Sequence, residues 1–202
     1  MDLDDEVAAH IAALTGTVAG SSGIIADIVA RLCVCFHQGG KLLICGNGGS
    51  AADAQHVAAE FVNRMRFDRR PLPAIALATD TSVLTSIAND ASYDEVFARQ
   101  VEALGRTGDV LFAFSTSGGS ANVLAALRAG RQRGMLTVGF TGQSGAERMA
   151  PDCDVLLAVP SRDCARIQEC HEFVYHVIAG MVEQQLFESV ESVGLERPGG
   201  PQ

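Results

Sequence analysis

Two ionisable side chains lie four residues apart, directly after a glycine-rich stretch. His56 and Glu60 share one face of a helix predicted over residues 51–64, because a spacing of four brings side chains together. An imidazole and a carboxylate so placed can ligate a metal ion, exchange protons with a substrate or form a surface ion pair. The ion pair is the commonest meaning of this spacing, but the position beside the glycine-rich stretch favours a functional role.

A second polar cluster occurs in the last predicted helix, over residues 162–187. It contains Gln168, His171, Glu172 and His176. Gln168 and His176 are eight residues apart and differ by only ~80° around the helix axis. His171 could instead be a satisfied polar residue on another face, so spacing alone does not decide between the two histidines.

The glycine-rich stretch GNGGS, over residues 46–50, follows an apolar strand predicted over residues 42–45. Its glycines let the backbone turn sharply and approach a ligand closely, and Ser50 is a candidate cap for the helix that follows. The free amides and the dipole at the start of that helix favour an anion such as phosphate.

Two nucleotide-binding motifs resemble this stretch and are disfavoured. Residues 46–51 match the dinucleotide fingerprint G-x-G-x-x-A, but that motif needs an acidic residue about 20 residues further on, and Asp80 lies much later. The lysine of a phosphate-binding Walker loop is absent.

A second small-residue loop, STSGGS over residues 115–120, follows the strand predicted over residues 110–114. Hydroxyls and free amides can hold a phosphate without any lysine or arginine. A polar loop with a helix cap is the ordinary alternative. Two such loops at strand ends favour a phosphorylated ligand.

Apolar strands alternate with helices from residue 41 onward, which predicts a five-stranded parallel sheet covered on both faces. Ligands of such folds bind beyond the carboxyl ends of the strands. Two helices, divided at the sequence SSG over residues 21–23, are predicted before the first strand. The expected organisation is one domain over residues 1–202, with a helical pair at 1–38, an α/β core at 39–190 and a flexible tail at 191–202.

Composition excludes several classes of protein. The chain has 202 residues, 48% hydrophobic and 19% charged, as in a globular domain, and its net charge of -9 argues against a nucleic-acid-binding surface. No continuous apolar run approaches the ~20 residues of a membrane span, and the acidic N-terminus lacks the basic region of a signal peptide. Six cysteines without a CxxC pair are expected to be reduced thiols in a cytoplasmic protein.

Taken together, the motifs resemble the phosphoheptose isomerase family, whose members are sugar-isomerase (SIS) domains. The similar segments are CGNGGSAADAQHVAAE, AND at 88–90, STSGGSANV at 115–123 and RIQECHEFVYH at 166–176, and the similarity spans roughly residues 3–190. The resemblance implies a three-layer α-β-α sandwich and a homotetramer. It also implies conversion of sedoheptulose 7-phosphate to D-glycero-D-manno-heptose 7-phosphate for lipopolysaccharide or other nucleotide-activated heptoses.

The resemblance assigns roles to individual positions. Glu60 matches the general base and His176 the general acid. The matching ligands of one zinc ion per subunit are His56, Glu60, Gln168 and His176. The matching phosphate contacts are Ser50, Ser115, Thr116, Ser117 and Ser120, and the other substrate contacts are Asn47, Gly48, Gly49, Asn89, Asp90 and Gln168.

Two positions depart from the family pattern. Gly119 stands where asparagine is commoner, which should loosen the phosphate loop. Ala165 stands where many members carry aspartate, and Asp163 is a candidate replacement in orienting the sugar.

The alternative is a protein without catalytic activity. The DnaA-initiator-associating protein shares the fold and resembles this chain in SIANDASYDEV and RQVEALG. Its positions matching Glu60 and His176 are not glutamate and histidine, so the isomerase is favoured.

The last predicted helix also suggests how the chain assembles. It is apolar on more than one side, with Phe173, Val177, Met181 and Phe187 among its apolar residues. One sheet face cannot cover such a helix, so neighbouring subunits are expected to do so in a tetramer of dihedral symmetry.

Overall fold

The computed structural model describes residues 2–188 of the chain. Strands and helices alternate after a long first helix, with short 3₁₀ turns at Tyr93–Glu95, Gln143–Gly145 and Ala150–Asp152 and a wider helical turn at Gln184–Glu188. The strands are β1 (Leu42–Gly46), β2 (Ala74–Ala76), β3 (Val110–Phe114), β4 (Leu136–Gly142) and β5 (Val155–Val159). The helices are α1 (Leu3–His37), α2 (Gly49–Val62), α3 (Thr81–Asp90), α4 (Ala98–Leu104), α5 (Ala121–Gln132), α6 (Ala146–Met149) and α7 (Cys164–Glu183).

The five strands form one parallel sheet in the order β2-β1-β3-β4-β5. Every residue of β1 and β3 is buried, as the apolar runs require of central strands covered on both faces. Helices α1, α2 and α7 contribute to the core on one face, and α4, α5 and Met149 of α6 to the core on the other. The predicted three-layer α/β fold is therefore confirmed.

The N-terminal segment differs from the prediction, because α1 runs from Leu3 to His37 without a break. The prediction of two helices divided at residues 21–23 is wrong. Ser21 is buried, and the Thr17 hydroxyl donates to the Ala13 carbonyl at 2.7 Å, so these side chains are accommodated within the helix. Packing of α1 against α7 and β5 outweighs the helix-weakening effect of glycine, about 1 kcal/mol for each.

The boundaries of two further helices also differ from the prediction. The sequence predicts a single helix over residues 94–104, but the structure has a 3₁₀ turn at Tyr93–Glu95 followed by the short α4. Helix α2 begins at Gly49, so Gly48, with φ of 57°, holds the cap position that was predicted for Ser50. A left-handed backbone at this position favours glycine over serine, which is why the cap has no side chain.

Helix α1 is long and apolar enough to cross a membrane by length and composition, with a mean hydropathy of 1.7 in its most apolar window. Core helices of soluble proteins pass the same test, and α1 packs on α7 and β5. All six cysteines are free, as the sequence predicts. The tail predicted over residues 191–202 lies outside the described residues.

Candidate active site

The two small-residue loops lie side by side at the point where the strand order reverses. Strand β1 pairs with β3 on one side and with β2 on the other. Residues 46–50 begin at the last residue of β1, and residues 115–120 directly follow the last residue of β3. A crevice at such a switch point is the usual ligand site of an open parallel sheet. The structure thus brings the two predicted phosphate loops together.

Glycines in the first loop permit close packing. A Cβ on Gly46 would lie 2.5 Å from the Ser50 carbonyl oxygen, and one on Gly49 would lie 2.3 Å from Nε2 of Gln168. The loop therefore tolerates no side chain at either position without rearrangement. It draws Ser50 into a buried position and seats the Gln168 amide against the start of α2.

Asn47 is locked in place by two neighbours. Its Nδ2 donates to Asn122 Oδ1 at 2.8 Å, while Asn122 Nδ2 donates back to Asn47 Oδ1 at 2.9 Å. The Tyr93 hydroxyl donates to the same Asn47 oxygen at 3.1 Å. This reciprocal pair joins the loop after β1 to the first turn of α5, so the two loops form one unit.

The second loop concentrates hydroxyl groups at the start of α5. The Ser115 and Ser120 oxygens lie 3.0 Å apart, and Ser117 Oγ accepts from the Gly119 amide at 3.3 Å. The Thr116 hydroxyl lies 3.4 Å from the Cys164 thiol. The unpaired amides at the beginning of a helix and these hydroxyls form an arrangement suited to an anion.

Three ionisable side chains converge between α2 and α7. His56 Nε2 lies 3.2 Å from Glu60 Oε1 and 3.3 Å from His176 Nε2. One ligand atom from each of the three residues can be chosen so that all lie within 4.8 Å of one another. Helix α7 thus carries His176 to the face that His56 and Glu60 share on α2, a contact that neither helix's spacing reveals.

The other histidine of α7 has a different environment. His171 is fully buried beside the stacked rings of Phe114 and Phe140, which it meets edge-on, and its Nε2 lies 3.3 Å from the Thr141 carbonyl oxygen. Burial lowers the pKa of His171 to about 4, so the imidazole is neutral at pH 7. Of the two histidines that spacing left open, His176 joins the cluster and His171 belongs to the core.

Two groups on α7 surround Nδ1 of His56. The Tyr175 hydroxyl lies 3.0 Å from it and Glu172 Oε1 lies 3.7 Å from it. Burial, followed by the charge of Asp53, raises the pKa of Tyr175 well above its usual range, so the phenol stays protonated. Burial and the Glu172 charge raise the pKa of Asp53 to about 6, against an opposing effect of His56.

Two imidazole nitrogens and one carboxylate oxygen that converge in this way form a donor set that suits a divalent metal such as zinc. Three of the four predicted metal ligands are therefore together. The fourth, Gln168, lies on α7 with its amide against Gly49, about two helical turns before His176.

Two of the predicted substrate contacts lie at the end of α3, outside the two loops and the cluster between α2 and α7. Asn89 and Asp90 end α3 and are exposed, and Asn89 Nδ2 donates to Asp90 Oδ1 at 2.8 Å. Asp163, the candidate replacement for the aspartate missing at Ala165, caps α7, and its Oδ1 accepts from the Ala165 amide at 2.8 Å. Its role in orienting the sugar stays a prediction.

Four residues at the site belong to none of the sequence motifs: Tyr93, Asn122, Arg148 and Tyr175. Asn122 directly follows the hydroxyl loop, so its position at the start of α5 could have drawn attention. Tyr175 precedes His176 in an apolar helix and looks like an ordinary core residue. Its contact with His56 spans 119 positions of sequence, which no local pattern shows.

The SIS domain model matches residues 7–142, in agreement with the parallel sheet and its two phosphate-type loops. The fold is thus that of an SIS domain, a class of α/β domains.

Within this class, the chain is most specifically similar to proteins named phosphoheptose isomerase. The Roseiflexus enzyme of that name is 56% identical over 184 residues, covering 91% of this chain and 93% of the relative. The Neisseria gonorrhoeae phosphoheptose isomerase structure matches with a TM-score of 0.77 and 43% identity, covering 91% of this chain and all of that one. The Francisella tularensis structure also gives 0.77, at 31% identity. The chain belongs to the phosphoheptose isomerase family.

Proposed function

We propose that the protein is an aldose–ketose isomerase that converts sedoheptulose 7-phosphate to D-glycero-D-manno-heptose 7-phosphate. The observation that supports this most directly is the convergence of Glu60 and His176 with His56, beside two loops suited to a phosphate. The names and high identity of the relatives specify the substrate. The product would enter the synthesis of nucleotide-activated heptoses, including those of lipopolysaccharide.

The chemistry moves a carbonyl from C2 to C1 of the open-chain sugar through an enediol. Glu60 acts as the base that removes the C1 proton and returns it at C2, while His176 transfers the proton between the two oxygens. General acid–base steps of this kind contribute roughly 10²–10⁴-fold each. A phosphate bound at the far end of the sugar holds C1 and C2 next to Glu60 and His176. The binding energy of the phosphate thereby serves to position the reacting carbons.

The backbone around Glu60 is held by the loop that follows α2. Arg69 Nη2 donates to the Glu60 carbonyl oxygen at 2.7 Å, and Arg69 Nη1 donates to the Phe61 carbonyl oxygen at the same distance. These bonds satisfy carbonyls at the end of α2 that lack helical partners. They favour a fixed direction for the Glu60 side chain.

We assign zinc to the cluster of His56, Glu60 and His176, with Gln168 as the fourth ligand. When bound, zinc would polarise the sugar carbonyl and favour the enediolate. A carboxylate that ligates zinc is a weaker base, so the proposed roles of Glu60 as base and as ligand compete. In the metal-free protein, Glu60 is available for proton transfer.

The alternative is a binding protein similar to the DnaA-initiator-associating protein. The presence and proximity of Glu60 and His176 support catalysis instead. The deciding experiment incubates purified protein with sedoheptulose 7-phosphate and couples the aldose product to a detectable reaction. Conversion by the protein alone supports the isomerase, whereas no conversion together with binding to a replication initiator supports the alternative.

We also propose that the protein is a cytoplasmic homotetramer. Much of α7 is covered within the subunit by α1 and α2, so its apolar surface supports assembly less than its sequence suggests. Exposed apolar residues instead follow one side of α1, at Leu3, Val7, Ile11 and Val18, with 77%, 50%, 56% and 44% exposed. Such a stripe favours burial against another subunit.

A further inference from the structure

Arg148 lies beside the hydroxyl loop without belonging to its sequence motif. A Cβ on Gly119 would lie 3.2 Å from Arg148 Nη1 and 3.8 Å from Ser117 Oγ. The guanidinium and the hydroxyl therefore flank the same point above Gly119. The sequence does not reveal this arginine as a neighbour of the loop, because it follows the loop by 28 positions and belongs to the four-residue helix α6.

Close backbone packing fixes the segment that carries Arg148. A Cβ on Gly118 would lie 2.3 Å from the Gly145 carbonyl oxygen, and one on Gly145 would lie 2.1 Å from Thr141 Oγ1. Two glycines in contact thus hold the start of α6 directly against the loop. The position of Arg148 beside Ser117 follows from the packing of the backbone.

The charge of Arg148 has no partner among the residues that the structure describes. Within residues 2–188 its guanidinium makes no hydrogen bond and no ion pair. Two arginines of α5 differ in this respect: Arg128 pairs with Asp152 at 2.7 Å, and Arg131 donates to the Pro151 carbonyl at 2.9 Å. Arg148 is available for a ligand.

We infer that Arg148 binds the phosphate group of the sugar substrate, which extends the proposed function to a residue that the loop motif does not contain. The loop supplies only neutral donors, whereas a phosphate monoester is close to a dianion at neutral pH. The protein itself carries a net charge of -9, which repels such a ligand. A guanidinium beside the hydroxyls supplies the missing charge and two parallel donors.

Gly119 contributes to this arrangement. Its missing side chain leaves open the space that Arg148 Nη1 and Ser117 Oγ flank, so both can approach one ligand. Glycine at position 119, where asparagine is commoner in the family, therefore lets a ligand in the loop reach the Arg148 guanidinium. This effect is in addition to any loosening of the loop.

The test compares Arg148→Gln and Arg148→Lys with the wild-type protein. Because the phosphate stays bound throughout the reaction, loss of its charged contact should raise KM for sedoheptulose 7-phosphate roughly 10–100-fold, with kcat within about twofold. The lysine variant keeps the charge without the paired donors and should show a smaller rise. Arg106→Gln is the matched control, since it removes an exposed arginine just before β3, at the other end of that strand from the hydroxyl loop.

Binding of inorganic phosphate, followed by calorimetry at fixed ionic strength, separates this inference from the isomerase assignment. Affinity should fall in Arg148→Gln and stay unchanged in Arg106→Gln. Weaker phosphate binding without any turnover of the heptose by wild-type protein would sustain the role of Arg148 and refute the assigned reaction. Equal KM and equal phosphate affinity in Arg148→Gln and Arg106→Gln would overturn the inference.

Discussion

The Tyr175 hydroxyl lies 3.0 Å from Nδ1 of His56, and this contact directs the other imidazole nitrogen toward Glu60 and His176. Tyr175 is fully buried, and its ring meets those of His56 and Phe114 edge-on, so its own orientation is fixed. A hydroxyl can donate or accept, so it can pair with Nδ1 in either tautomer of the imidazole. Tyr175 is thus a positioning residue for His56.

Tyr175→Phe keeps the ring and removes only this contact. We expect zinc affinity to fall roughly 10–100-fold, as for loss of other groups that orient a metal-binding histidine, and kcat to fall with it. Calorimetric zinc titration measures the affinity, and ¹⁵N NMR of His56 in metal-free protein reports the change in its tautomer population. Unchanged zinc affinity together with an unchanged His56 spectrum would show that Tyr175 only fills space.

Glu60→Gln preserves shape but removes the proposed base. Turnover of sedoheptulose 7-phosphate should fall by at least ~10²-fold, while the thermal unfolding temperature changes little. The control is Glu102→Gln, which changes an exposed carboxylate of α4 remote from the cluster. Near wild-type turnover in Glu60→Gln would remove Glu60 from the mechanism.

A buried ion pair fixes the loop behind the cluster. Arg69 Nε lies 3.0 Å from Glu183 Oε1, and both side chains are almost fully inaccessible to solvent. Glu183 also accepts from the Met65 and Arg66 amides, at 3.1 and 2.7 Å, so one carboxylate joins α7 to the loop after α2.

Arg69→Met leaves the Glu183 charge buried beside two amides and without its cation. We expect a loss of about 3–5 kcal/mol in the free energy of unfolding. Arg31→Met breaks the exposed pair with Asp27, at 2.8 Å, and should cost no more than about 1 kcal/mol. Urea unfolding at equal protein concentration compares the variants, and equal losses would refute the special role of the buried pair.

If the exposed apolar stripe on α1 is a subunit interface, a charge introduced into it should weaken assembly. Ile11→Glu places a carboxylate in the stripe and should lower the mass measured by light scattering from about four chains to fewer, because a charge buried at an interface costs several kcal/mol. Ala12→Glu is the control, since it lies about 100° further around the same helix and is also exposed. A wild-type monomer, or an Ile11→Glu tetramer, would exclude this stripe as an interface.

The sequence predicts the sheet and the meeting of both loops because these follow from local patterns. Apolar strands alternating with helices imply parallel pairing, and parallel pairing brings the ends of β1 and β3 to one edge. The continuity of α1 could not be predicted this way, since the SSG sequence at residues 21–23 favours a break and packing on α7 and β5 opposes it. The contacts of Tyr175 with His56 and of Asn47 with Asn122 depend on long-range packing and are visible only in the fold.

The burial of His171 should make the free energy of unfolding depend on pH. Its pKa is lowered by burial to about 4 in the folded protein, whereas an unfolded chain takes up the proton near the ordinary value of about 6.5. Protonation therefore favours the unfolded chain, and the stability present above about pH 6.5 is lost progressively as the pH falls toward 4. His171→Phe removes this group, so wild type should lose about 2 kcal/mol relative to the variant between pH 7 and pH 4.5. Urea unfolding followed by circular dichroism at fixed protein concentration measures both curves. Parallel curves over this range would mean that His171 is not held neutral by its burial beside Phe114 and Phe140.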